Sequence, residues 1–273
     1  MKLKLVVNKN IAFACYLWNV LNIERWPWIK RGLMKSVPKE LTKRAIGFSA
    51  PLMFSFERHP RIDLKNFTRA FESVLSETEQ LHDIEWKKER KNIKSNAAII
   101  KNVCDQYGSF IVDSIEETTK IVWTVKEVCI IPSIYSGGTV IGNKIFFGIR
   151  NETEDTFIKL LVHELIHVNT QGCFENPSKS LRLPTDSNEI TTCLLTNKVI
   201  EKLNKKFRLN VQPQLFHSYY AKFIKNYKKA LENIGNAGRG YKSLVLTIDK
   251  FLKNKKYVSY YQDRAFRKPK AGN

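Results

Sequence analysis

The sequence predicts an α+β fold, in which a small antiparallel sheet precedes a helix that carries two histidines, with helical segments before and after. Residues 119–135 are rich in β-branched side chains, which favour strands. Gly142 and Asn143 separate the apolar runs TVI and KIFFGI, a spacing typical of a tight hairpin. In the flanking segments, apolar residues recur every three or four positions, which indicates amphipathic helices.

The N-terminal region, residues 1–115, is predicted to be mixed and mostly helical. It opens with a strand and a helix; a secretion signal is the alternative, although Asn8, Lys9 and Asn10 interrupt its apolar stretch. Prolines divide the chain into short elements up to Asp63, and helices are predicted over residues 64–86 and 86–108. Residues 116–273 form the second region, either as a separate domain or as one continuous domain with the first.

The helix predicted after the hairpin begins next to Thr153, a residue type that caps helix N-termini. Glu154 and Asp155 then suit the positive end of the helix. Its buried face is formed by apolar residues at helical spacing: Phe157, Leu160, Leu161, Leu165 and Val168. After an irregular stretch, further helices are predicted from near Ser187 to Phe207, over 215–235 and over 240–256, followed by a basic tail.

Two histidines of this helix, His163 and His167, are four residues apart in LLVHELIHVNTQ, so both side chains lie on one helix face. Zn²⁺ accepts imidazole nitrogens and can leave one position open for water. Glu164, about 100° around the helix from His163, can reach such a water as a general base. These parts suit hydrolysis of an amide bond. The alternative is an ordinary helix with two surface or capped histidines.

The HELIH segment resembles the HExxH zinc metallopeptidases, and among them the gluzincins. In that clan a glutamate on the next helix, often within an NE pair, completes the metal site, and the matching residue here is Glu189 in DSNEITTCLL. The resemblance covers roughly residues 120–205. It implies a zincin-like, small thermolysin-like core, in which an edge strand around KIFFGI or EVCIIPS holds an extended peptide or protein substrate. Larger gluzincins often carry a carboxylate where this chain has Cys193.

The third ligand has alternatives. Glu189 follows Asp186 by three residues, which also fits a capping box at a helix start. Cys173 lies six residues past the second histidine, where metzincins place a histidine, but Thr170 stands in place of the glycine of that pattern. Glu175 is a further rival without a recognisable motif around it. We therefore rank Glu189 first and the other two well behind.

An amide hydrolase also needs a hydrogen-bond donor for the oxyanion. Candidates from the aromatic segment LFHSYYAKF and from the turn before the hairpin are His217, Tyr220, Tyr219 and Tyr135. At helical spacing such an aromatic cluster also fits an ordinary core. The two remaining histidines, His59 and His82, have no partner in the sequence and are predicted to lie on the surface.

The formal charge is +20, from 46 Lys and Arg against 26 Asp and Glu. Such a charge attracts anionic partners. An alternative function is therefore binding of nucleic acid or an acidic protein through the basic helices near Lys87–Lys94 and Lys222–Lys229 and the tail, with a structural or inactive metal site. The charge can equally serve solubility alone.

The cysteines and the hydropathy of the chain bear on its cellular location. The five cysteines are odd in number and scattered, without a CxxC pair, which favours reduced thiols in the cytoplasm. The chain has no run of eighteen or more apolar residues, so no membrane span is predicted.

Overall fold

A computed structural model of the protein describes residues 1–21, 37–46, 69–134, 138–148, 153–171, 185–214, 221–237 and 240–255. The predicted α+β class is confirmed: the described residues are about 74% helical and include a small four-stranded sheet. The elements, in chain order, are β1 (Lys2–Leu5), α1 (Lys9–Leu21), α2 (Lys39–Ile46), α3 (Arg69–Lys88), α4 (Arg90–Thr119), β2 (Glu127–Ser133), β3 (Thr139–Ile141), β4 (Lys144–Gly148), α5 (Glu154–Thr170), α6 (Thr185–Phe207), α7 (Ala221–Asn236) and α8 (Tyr241–Asn254).

The predicted hairpin is confirmed as the pair β3–β4, which runs antiparallel with Ile141 opposite Lys144. Gly142 has a φ of 59°, a backbone conformation that costs a glycine little and a β-branched residue much. The sequence GN therefore reverses the chain within two residues, as its turn chemistry predicts.

The sheet as a whole is mixed, so the predicted antiparallel sheet is wrong. Its strand order is β1-β2-β4-β3, so EVCIIPS (β2) and KIFFG (β4) are inner strands, and the prediction that one of them is a substrate-binding edge strand is wrong. Strand β4 lies between β2 and β3. It runs antiparallel to β3, its hairpin partner, and parallel to β2. Strand β1, from the N-terminus, adds to the other edge of β2 and is also parallel to it, with Lys2 opposite Glu127. The hairpin signal is local, whereas both parallel pairings join strands distant in sequence.

The chain separates into two compact units, and the first consists of Met1–Gln106 and Lys126–Phe157. In this unit the helices α1, α2 and α3 share one apolar cluster, whose largest members are Tyr16, Leu17, Leu41 and Phe71. A second cluster packs α1 on the sheet through Cys15, Ile131 and Phe146. The predicted division of the chain near residue 115 stays a prediction.

His82 lies inside the first unit, so its predicted surface position is wrong. It is 1% exposed. Its ring lies 5.1–5.5 Å from the rings of Phe13, Tyr16 and Trp86. The acidic residues of α3 suggested a solvated helix, but His82 falls on the same helical stripe as the buried Val74 and Thr78.

The second unit consists of Tyr107–Val125 and Ile158–Asn273. Its described core joins α6, α7 and α8 through Ile190, Leu194, Leu231, Ile248 and Leu252. At the far end of α6, the ring of Phe207 packs edge-on against Tyr107 and Phe110. None of the described helices has a stretch long and apolar enough to cross a membrane.

Candidate metal centre

Helix α5 is held at its two ends by side-chain hydrogen bonds. The backbone N–H of Thr156 donates to Thr153 Oγ1 (3.4 Å), so the predicted N-cap is confirmed. Near the last turn, Asn169 accepts a hydrogen bond from the Thr119 hydroxyl (2.8 Å) and donates to the carbonyl of Ile121 (3.0 Å). From Leu161 to Thr170 every residue of α5 except His167 is buried. The histidines therefore project from a rigidly packed helix.

His163, His167 and Glu189 form a group that could hold a metal ion. The Nε2 atoms of the two imidazoles are 3.1 Å apart. The carboxylate of Glu189, from the second turn of α6, reaches both of them: Oε2 lies 3.5 Å from Nε2 of His163, and Oε1 lies 3.3 Å from Nε2 of His167. All three residues belong to the second unit.

The spacing of these donors fits a small tetrahedral cation. Ligand atoms 2.0–2.2 Å from a common tetrahedral centre lie about 3.3–3.6 Å from one another. The two imidazole nitrogens are 3.1 Å apart, and each lies 3.3–3.5 Å from a different oxygen of Glu189, so the donor atoms approach one another on this scale. Two imidazole nitrogens and one carboxylate are also the donor set of known catalytic zinc sites, which keep a further position open. The residues present therefore fit zinc.

The side chain of Gln214 decides which nitrogen of His163 faces the group. Nδ1 of His163 lies 3.0 Å from Oε1 of Gln214. Because an amide oxygen can only accept, Nδ1 carries the hydrogen, and Nε2 of neutral His163 presents a lone pair toward His167. Two imidazole nitrogens 3.1 Å apart repel each other unless a bonded hydrogen or a metal ion lies between them.

Without a metal, His167 carries that hydrogen. Burial on its own would lower the pKa of His167, but the charge and hydrogen bond of Glu189, with a further contribution from Glu164, outweigh it and raise this pKa to about 9. The donor group thus has a negative electrostatic character that stabilises positive charge at its centre.

Glu164 and Cys193 lie close to the donor group. Glu164 is 7% exposed, and its charge acts on both His167 and Cys193. Burial, with the carboxylates of Glu189 and Glu164, raises the pKa of the Cys193 thiol. Cys193 is therefore a neutral thiol at neutral pH and does not replace the carboxylate that larger gluzincins often carry at this position.

Comparisons with protein-family models, curated proteins and solved structures gave no significant match to this chain. The site is accordingly characterised by its own geometry.

Several residues named from the sequence lie outside the described residues. These are the rival ligands Cys173 and Glu175, the oxyanion candidates His217, Tyr220, Tyr219 and Tyr135, and His59, which was predicted to lie on the surface. For Glu189, helix α6 begins at Thr185, and the carboxylate contacts the two imidazoles. The structure therefore brings this side chain to both imidazoles, as a third ligand requires.

Sequence reasoning missed Gln214 and Asn197. Asn197 lies on α6 and bonds to the backbone of Gln214. Neither residue belongs to a motif, and 51 positions separate Gln214 from His163. The sequence offered one general signal: a metal-binding histidine needs a hydrogen-bond partner for its other ring nitrogen. That requirement limits the partner to a polar residue but does not identify it.

Among the described residues, exposed positive charge is dense in residues 87–94. Within residues 87–94, five cationic side chains are exposed: Lys87, Lys88, Arg90, Lys91 and Lys94. They lie at the end of α3 and the start of α4, in the first unit. On α7, Lys225, Lys228 and Lys229 are exposed as well.

The described cysteines Cys15, Cys104, Cys129 and Cys193 are free thiols.

Proposed function

We propose that this protein is a zinc-dependent metallopeptidase that hydrolyses peptide bonds. One observation carries the proposal: the Nε2 atoms of His163 and His167 are 3.1 Å apart, and each contacts one oxygen of the Glu189 carboxylate, at 3.5 and 3.3 Å, which is the scale of separation between tetrahedral zinc ligands. The HExxH spacing and the clan position of Glu189 point to the same group. The proposal includes a zincin-like core, for which the α+β class and the order of hairpin, motif helix and ligand helix are supporting features.

In this proposal His163, His167 and Glu189 hold the ion, and bound zinc supplies Lewis acidity that polarises a peptide carbonyl and acidifies a water molecule. Glu164 is the general base. Its carboxylate accepts a proton from the attacking water and later donates it to the departing amine. Because Glu164 is buried beside the donor group, little bulk water competes for that proton.

The test combines metal analysis with peptidase assays on the full chain. Wild type is expected to bind one zinc per chain, and His163→Ala none. Glu164→Gln is expected to keep the zinc and to lose hydrolysis of a peptide library by about 10²–10⁴-fold, the usual contribution of general-base catalysis. Asp155→Asn is the matched control, since Asp155 is an exposed carboxylate on the same helix. Wild-type protein that binds no zinc, or Glu164→Gln with full activity, overturns the proposal.

A second function is favoured by the five exposed cations within residues 87–94. In this alternative the protein binds nucleic acid or an acidic partner, and the metal site is structural or inactive. Its signature is an affinity for single- or double-stranded nucleic acid that falls steeply with salt, in proportion to the number of phosphates neutralised. Replacing Lys87, Lys91 and Lys94 by Gln then reduces both the affinity and its salt dependence.

A further inference from the structure

The segment that follows α6 returns along the same helix and is attached to it at two points. The first is Asn204, whose Oδ1 accepts from the N–H of Val211 (3.0 Å) and whose Nδ2 donates to the carbonyl of Val211 (2.9 Å). The second is Asn197, whose Oδ1 accepts from the N–H of Gln214 (2.7 Å) and whose Nδ2 donates to the carbonyl of Gln214 (3.3 Å). Each asparagine thus binds both backbone groups of a single residue.

These two attachments define the position of the segment. Asn197 and Asn204 are two helical turns apart, about 10.5 Å along the axis of α6. Val211 and Gln214 are three residues apart, a distance that a nearly extended chain spans in about 10–11 Å. The segment must therefore run nearly straight and opposite to α6 between the two attachments. Gln214 has little freedom to slide along the helix, because a shift by one residue would break all four hydrogen bonds.

The side chain of Gln214, positioned in this way, accepts the hydrogen bond from Nδ1 of His163. Helix α6 therefore acts on the donor group twice. It supplies Glu189 directly, and through Asn197 and Gln214 it determines the tautomer and the ring orientation of His163. A metal-binding histidine generally needs such a partner on its other nitrogen, and the partner is often a carboxylate or a backbone carbonyl.

We propose that Gln214, held by Asn197, is the positioning residue of the metal centre. The inference rests on the proposed zinc site. As a neutral acceptor, Gln214 fixes Nε2 of His163 as the metal-facing nitrogen without adding negative charge. The site consequently holds its ion through one carboxylate ligand and two neutral imidazoles. The uncharged amide of Gln214 accepts the hydrogen bond from the imidazole of His163.

The test is zinc affinity, measured by competition with a chromophoric chelator on the full chain. Gln214→Ala is expected to weaken zinc binding by about 10–100-fold, as loss of such a partner does in other metal sites. Gln214→Glu is expected to bind zinc at least as tightly as wild type, because a carboxylate accepts the same hydrogen bond. The matched control is Gln212→Ala: Gln212 is exposed in the same segment and its side chain bonds only to Asn210 among the described residues. It should leave the affinity within twofold of wild type.

Asn197→Ala provides the second arm. It is expected to weaken zinc binding, and the double variant with Gln214→Ala should bind no worse than Gln214→Ala alone, because both residues act through one hydrogen bond. Additive losses in the double variant would overturn the proposed order of action. Circular dichroism of each variant verifies folding, and recovery of affinity in Gln214→Glu separates positioning from general structural damage.

The outcomes for the two proposals are distinguishable. If wild type and Gln214→Ala bind zinc equally, the positioning role is overturned and the zinc site stands. If wild type binds no zinc, the proposed peptidase function is overturned. The hydrogen bond is then tested by ¹⁵N NMR of the His163 ring in the metal-free protein: protonated Nδ1 in wild type that is lost in Gln214→Ala supports control of the His163 tautomer by Gln214, and identical spectra overturn it.

Discussion

Acidification from pH 7 to pH 4 is expected to destabilise the first unit through His82. Its imidazole is 1% exposed, and Nε2 has no hydrogen-bond partner among the described residues. Burial lowers the pKa of His82 to about 4; the charge of Asp83 opposes this shift and that of Lys9 adds to it. In the unfolded chain the pKa of His82 returns to 6.5. Between these two values the unfolded state binds a proton that the folded state excludes.

The sign and size follow from proton linkage. Stability rises with pH wherever the unfolded state binds more protons, so the contribution of His82 is complete above pH 6.5 and is lost as the pH falls toward 4. The difference between the two pKa values corresponds to at most about 3 kcal/mol. Asp83 also has a lowered pKa, through its hydrogen bond from Lys9, but its titration lies below its ordinary value of 3.8 and outside this window.

The variant His82→Phe isolates the effect, because phenylalanine keeps an aromatic ring beside Phe13, Tyr16 and Trp86 and cannot be protonated. Urea unfolding, followed by NMR cross-peaks of α1 and α3 at several pH values, should show wild type losing about 3 kcal/mol more than the variant between pH 7 and pH 4. A parallel NMR titration reads the pKa of His82 directly. A His82 that titrates near 6.5, or a variant with the same acid sensitivity as wild type, would refute the reasoning.

Three further predictions concern the site helix, the second unit and the metal. Thr153→Ala removes the acceptor for the Thr156 N–H and should reduce stability by about 1 kcal/mol in urea unfolding; Thr247→Ala, at an exposed mid-helix hydroxyl, is the control and should change it little. Leu231→Ala truncates a fully buried side chain of the second unit and should cost about 2–5 kcal/mol in thermal unfolding, whereas a cost below 1 kcal/mol would contradict the packing described. Zinc at 100 times its Kd should stabilise wild type by about 2.7 kcal/mol, an increase that a chelator reverses and that is absent in His163→Ala.

The sequence allowed good prediction of elements whose causes are local. Helix α5 begins where Thr153 can cap it, and the β3–β4 turn forms where Gly142 can adopt a positive φ. The pairing of His163 with His167 follows from helical periodicity alone, since residues four apart share a helix face. These features need no knowledge of the rest of the chain.

Features that depend on distant partners could be predicted only in part. The parallel addition of β1 to β2 requires the N-terminus to return to the sheet, and strand propensity does not say which way it pairs. His82 is buried because α1 and α3 pack around it, although its neighbours in sequence are acidic. Glu189 could be named as a ligand from a family pattern, but a capping role at the helix start remained its alternative.

What the sequence by itself determined is therefore the α+β class, the hairpin and a helix with two imidazoles and an adjacent carboxylate on it. Tertiary structure alone decided that Glu189 meets both imidazoles, and that Asn197 places Gln214 behind His163. The physical reason is the range of the interactions. Capping, turn geometry and periodicity act over a few residues, whereas a donor group closes only when segments far apart in the chain are packed together.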